Sequence, residues 1–206
     1  MLTPSFMKTT LLTMVALVAL SLSPASAVIM EEGGGILYGQ TYDFNVKAPK
    51  GWIFDNESGV QQGMDCVFYP KGHTWQDSPV IAYARAQVKT KDVQTADDAA
   101  RDAIADFHAR GNPKYEGKRV KTIQTKNGKE GVIYHFSGDK FGNYEAMVYF
   151  VEDKTINIVV LNARKQKAFE DALPAFDQLA ESYVFLGDAP LKGSGPKTTP
   201  AKKKSK

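Results

Sequence analysis

The stretch from Tyr144 to Leu161 constrains the fold more than any other. In an extended chain successive side chains point to opposite sides. Tyr144, Ala146, Val148 and Phe150 therefore face one way, and Met147, Tyr149 and Val151 the other. Ile156, Ile158 and Val160 oppose Val159 and Leu161 in the same manner, and Glu152-Asp153-Lys154 between the two runs reads as a hairpin turn. Strands apolar on both faces require cover on both faces. Two segments have the helical period to supply it. Thr95 to Arg110 lines up Ala96, Ala100, Ala103, Ile104 and Phe107, with Thr95 as N-cap, aspartates in the first turn and Gly111 as the stop. Residues from about Lys165 to Tyr183 line up Phe169, Leu173, Phe176, Ala180 and Tyr183, with Pro174 expected to kink or split the helix. The pattern predicts an α+β fold, a mostly antiparallel β-sheet covered by helices on both faces.

Alternation places further strands. Tyr42, Phe44 and Val46 alternate before Pro49, and Cys66 to Tyr69 is a short apolar run stopped by Pro70. Val80 to Val88 alternates Ala82, Ala84 and Ala86 with Ile81, Tyr83, Arg85 and Gln87. Val120 to Thr125 and Gly131 to Phe136 flank Asn127-Gly128, whose composition predicts a two-residue hairpin turn. With the two late strands this makes a four-stranded antiparallel meander.

The ends of the chain differ from its middle. Lys8, an apolar run from Leu11 to Leu22 and then Ala25-Ser26-Ala27 form the three parts of a secretory leader. Residues 1–27 read as a signal peptide cleaved at the Ala25/Ala27 site, with Met7 a better start than Met1. Residues 28–35, with Gly33-Gly34-Gly35, read as a flexible arm, 36–187 as one domain, and 188–206 as a disordered lysine-rich tail. The formal net charge of +3 averages these parts: residues 28–191 hold 19 bases against 23 acids, while the last 15 residues carry six lysines and no acid. The domain is thus mildly acidic, and no nucleic-acid partner is expected. Lys202, Lys203, Lys204 and Lys206 could touch an anionic surface. The expected product is exported, periplasmic or extracellular, with no transmembrane segment once mature.

The opening strand Tyr42-Asp43-Phe44-Asn45-Val46, then Pro49-Lys50-Gly51-Trp52, and at the far end a helix with Phe169 and Phe176 running into Ser182-Tyr183-Val184-Phe185 resemble the PsbP-like group. That group also holds the Mog-type Ran-binding proteins and the periplasmic DcrB-like proteins. The resemblance implies an α/β/α sandwich without a shared active site, and a non-catalytic accessory or binding role.

Chemistry-bearing residues are sparse. The loop from Pro70 to Pro79 groups His73, Trp75 and Asp77, a candidate ligand-contact loop in which Trp75 offers a flat apolar face. A metal-binding or hydrolytic protein built on that loop is the alternative function. His73, Asp77 and His135 are its metal candidates, short of the three or four donors at fixed spacing that zinc requires. His108 near a helix end, and Cys66 in an apolar run, read as structural. No Gly-x-Ser-x-Gly, Gly-x-Gly-x-x-Gly or Walker motif is present, and no cofactor is expected. The partner expected is an envelope protein or a small ligand. N-terminal sequencing of the exported protein should begin at Val28, and a mature chain that keeps Leu11–Leu22 would overturn the leader.

Overall fold

The structure, a computed structural model, describes residues 29–31, 33–38 and 42–187; the leader with Ala25 and Ala27 and the tail with its lysines lie outside the described residues. The chain runs through β1 (Ile29–Glu31), β2 (Gly34–Tyr38), β3 (Asp43–Lys47), β4 (Trp52–Asp55), β5 (Val67–Pro70) and β6 (Val80–Val88) to α1 (Ala96–Ala109). It continues through β7 (Glu116–Gln124), β8 (Glu130–Ser137), β9 (Tyr144–Val151) and β10 (Thr155–Ala163) to α2 (Gln166–Glu181), and ends in β11 (Val184–Gly187). Eight strands form one sheet in the order β1-β4-β5-β6-β10-β9-β8-β7, and β11-β3-β2 form a second. The pairs are antiparallel, and β7 to β10 form the meander.

Strand β10 is the centre. It pairs from Thr155↔Val88 to Ala163↔Val80 with β6 and from Ile156↔Val151 to Ala163↔Tyr144 with β9. Alternate side chains enter two clusters. Ala146, Val148, Phe150, Val159 and Leu161 pack with Phe169, Ala172, Phe176, Leu179 and Ala180 of α2. Met147, Tyr149, Ile156, Ile158 and Val160 pack with Ala96, Ala99 and Ala100 of α1.

Helix α1 starts on a capping box: the Thr95 hydroxyl accepts the Asp98 N–H at 3.1 Å, and the Asp98 carboxylate accepts the Thr95 N–H at 2.9 Å. Its buried residues are confined to the first turns, while Ile104 and Phe107 are only half-buried. Helix α2 is not split at Pro174. That proline is on the exposed side, where water can satisfy the carbonyl its missing N–H leaves free, while Phe176 and Leu179 anchor the helix beyond it. The Asn127-Gly128 turn is longer than two residues. The Gly128 N–H reaches the Thr125 carbonyl at 2.9 Å, and the Thr125 N–H reaches that of Lys129 at 2.8 Å, with Gly128 at φ +83°.

Within the arm expected over 28–35, residues 29–31, 34 and 35 lie in strands. Ile29, Met30 and Glu31 pair with Asp55, Phe54 and Ile53, and Gly34–Tyr38 pair with β3. The glycines here permit close approach rather than freedom: a Cβ on Gly35 would sit 2.2 Å from the Phe54 ring. The last strand closes the same corner. β11 pairs with β3, the Lys47 N–H donates to the Ser182 hydroxyl at 2.8 Å, and the Tyr183 ring stacks on Phe150 at 4.0 Å. Gly35→Ala is expected to cost about 2 kcal/mol in urea unfolding through overpacking against Phe54. Phe54→Leu in the same chain should return part of that loss, and a neutral Gly35→Ala would mean that β2 does not pack there.

Candidate functional site

The two faces of β6 are unequal. Val80, Ala82 and Ala84 are buried beneath the α2 cluster, while Ile81 and Tyr83 are half-covered and Arg85 is exposed on the side of α1. The cause is in the sequence of α1. Asp102, Asp106 and Arg110 keep its C-terminal half solvated, so it meets β6 through a polar contact, Asp102 with the Gln87 amide at 3.1 Å, rather than through an apolar seam. Three adjoining concavities result. One of about 530 Å³ lies between that half of α1 and the sheet, with Arg85, Gln87 and Glu145 in its wall. The next, about 460 Å³, shares Tyr83 and Arg85 and adds Met64, Trp75 and Ile81. The third, about 840 Å³, shares Trp75, Ile81 and Asn162 and extends to Phe141, Arg164 and Lys165. Together they form an open groove along β6 and the end of β10.

A polar clamp forms the groove's inner wall. Glu145 is 6% exposed. Its carboxylate accepts the Tyr115 hydroxyl at 2.6 Å and the Asn162 side-chain amide at 2.8 Å. Asn162 is its direct cross-strand partner on β10. Burial pushes the Glu145 carboxyl above the usual carboxylate range against the pull of those two hydrogen bonds. Burial, with Glu145 beside it, also raises the Tyr115 phenol and lifts that of Tyr83 to about 12. Tyr115 is fixed by parallel stacking, 4.0 Å from Phe107 and 5.5 Å from Phe136. Its carbonyl oxygen lies 2.7 Å from Nε2 of His108, so that imidazole is a brace for the clamp, donating to the carbonyl.

The loop of His73, Trp75 and Asp77 contributes unevenly. Trp75 is half-buried in the groove wall beside Ile81. Asp77 accepts the Thr74 N–H at 2.7 Å, and that bond first, with His73 nearby, holds its carboxyl below the usual range. His73 is exposed, its Nδ1 3.5 Å from Asp77. His135 lies elsewhere, edge-on to Phe169 at 5.1 Å under α2. Burial first, and Lys121 second, lower its pKa. Among the described residues no three His, Cys, Asp or Glu side chains lie close enough together to hold a metal ion. Cys66 is buried, which pushes its thiol up to about 12. Glu145, Tyr115, Asn162 and Arg85 form the site without having been singled out in the sequence. The signal that could have found them is an acid inside the doubly apolar run Tyr144–Val151.

No family model matches the chain, and no curated protein does. Among solved structures it is similar to cyanobacterial PsbP (CyanoP) from Synechocystis sp. PCC 6803. The identity there is 15% over 80% of this chain and 95% of that one, with a TM-score of 0.42. It is also similar to the Ran-binding protein Mog1p of Saccharomyces cerevisiae, at 11% identity over 79% of this chain and 96% of that one, with a TM-score of 0.46. Both are of the PsbP and Mog type that the sequence resembles. At these identities and TM-scores neither likeness assigns this chain a role.

Glu145 makes the site pH-dependent in a stated direction. Its folded-state pKa lies above the unfolded value, so the folded protein binds more protons between the two, and this carboxyl weakens the fold as pH rises through that interval. Glu145→Gln keeps an acceptor for Asn162 and offers an N–H to the Tyr115 oxygen. Its urea midpoint should therefore gain on that of the wild type as pH rises above about 4.3. A gap that stays flat or shrinks would show that burial does not control this carboxyl.

Proposed function

We propose that the protein is an exported, non-catalytic binding module of the cell envelope, an α/β/α sandwich with a helix on each face, whose partner lies in the groove along β6. The observation that carries this reading is the row of half-covered Ile81 and Tyr83 and exposed Arg85 beside a strand, β10, that is buried almost throughout. A sheet face left open next to a dry core, with an aromatic wall and a few polar groups, is how binding clefts are built. The groups nearest to reactive chemistry are already engaged. Glu145 is held by Tyr115 and Asn162, and Asp77 by Thr74. Export is supported by the leader pattern in residues 1–27, and contact with an anionic envelope surface by the lysines of the tail.

A photo-crosslinking residue placed at Tyr83 should form adducts in the producing cell. The same residue at Val120, exposed on edge strand β7, should form few. Equal labelling at both positions, or none at Tyr83, would remove the groove as the site.

A further inference from the structure

Resting on the groove reading, the charges in the groove name its occupant. Its acids have partners within the fold: Glu145 has Tyr115 and Asn162, Asp106 has Arg110 at 2.9 Å, Asp102 has the Gln87 amide at 3.1 Å, and Asp77 has the Thr74 N–H. Of its cations, Arg110 is taken up by Asp106, and the charge of Arg85 acts on Glu145 without direct contact. Among the described residues the side chains of Arg85, Arg164 and Lys165 make no hydrogen bond or ion pair. A solvated Arg beside a half-buried aromatic wall is a ready partner for a carboxylate, which it can meet with two parallel hydrogen bonds.

The spacing gives the shape. Ala163 pairs with Val80, five residues along β6 from Arg85, and Arg164 follows Ala163 one residue past the end of the ladder. At strand rise Arg164 is then about 20 Å along from Arg85. Trp75, Ile81 and Tyr83 line the interval. In an extended peptide, side chains an even number of residues apart share a side. We infer that the groove binds an extended acidic segment of a partner protein, with carboxylates about six residues apart on Arg85 and Arg164 and apolar side chains between them on Trp75, Ile81 and Tyr83. The chain's own residues 192–206 carry lysines and no acid, and have the wrong charge to fill it.

The test uses the full mature chain and two fluorescein-labelled peptides of valine and phenylalanine, one with glutamates about six residues apart and the other with glutamines in their place. The acidic peptide is expected to bind about tenfold more tightly at low salt, and the difference should shrink as salt is added. Arg85→Gln or Arg164→Gln should bring its affinity down to that of the glutamine peptide while leaving the latter unchanged. Both arginines are exposed, so circular dichroism should match the wild type. Tryptophan emission should change on binding and the change should vanish in Trp75→Phe, because Trp52 is buried. If both peptides bind alike and both move Trp75, the acidic assignment falls and the groove stands. If neither moves Trp75, both fall. Competition by phosphatidylglycerol vesicles as strong as that by the acidic peptide, or a dimer in sedimentation that Arg85→Gln dissolves, would replace the peptide with a lipid or a second copy.

Discussion

From Thr155 to Leu161 strand β10 carries seven successive buried residues, and neighbouring apolar side chains enter different clusters. Each fully buried Ile, Leu or Val there contributes about 1.5–3 kcal/mol relative to exposure. That gain is available only if β6 and β9 flank the strand and something covers each side. Two polar residues, Thr155 and Asn157, share this dry strand. Asn157 donates to the Tyr183 hydroxyl at 2.8 Å, which in turn donates to Glu152 at 2.9 Å. A buried amide would be costly without such a partner. The centre of the large sheet therefore depends on Tyr183, the residue at which the chain turns into β11. The last strand and the small sheet are thereby tied to the core.

The two helices bury unequal sets of side chains, and the groove lies beside the one that buries fewer. Helix α2 sets Phe169, Ala172, Phe176, Leu179 and Ala180 into the core along its length. Helix α1 buries only alanines near its start. Small side chains let the helix approach β9 closely at one end, while its charged second half reaches the sheet through the Asp102 contact with Gln87. Between that half and the sheet the wall must be partly wet, and Glu145 stands at the boundary. Its carboxylate stays satisfied because Tyr115, braced by Phe107, Phe136 and His108, reaches it from one side and Asn162 from the other.

Much of this was legible in advance, because it rests on periodicity. The extents of β6 and β9, both helices with the Thr95 cap, and the meander follow from side-chain alternation and capping chemistry. Elements whose existence depends on distant partners were hidden. Gly33-Gly34-Gly35 has the composition of a flexible arm, and only the Phe54 ring against Gly35 shows why glycine in a strand suits that place. Of the loop between Pro70 and Pro79, Trp75 lies in the wall of a concavity beside Ile81. Asp77 accepts the Thr74 amide, and His73 is exposed beside it, a local arrangement that spacing alone does not specify.

By itself the sequence determined the strand and helix segments, the need for cover on both sides of the late strands, and the separation of a mildly acidic domain from a cationic tail. These follow from local properties: side-chain period, turn residues and charge along the chain. Only the tertiary structure decided that the charged half of α1 meets β6 through Asp102 and Gln87, that Glu145 meets Tyr115 and Asn162, and that Arg85 and Arg164 line adjoining concavities. The cross-strand register that sets Asn162 beside Glu145, and the angle at which a helix leaves a sheet, are fixed by packing among residues far apart in sequence. No window of the chain contains that information.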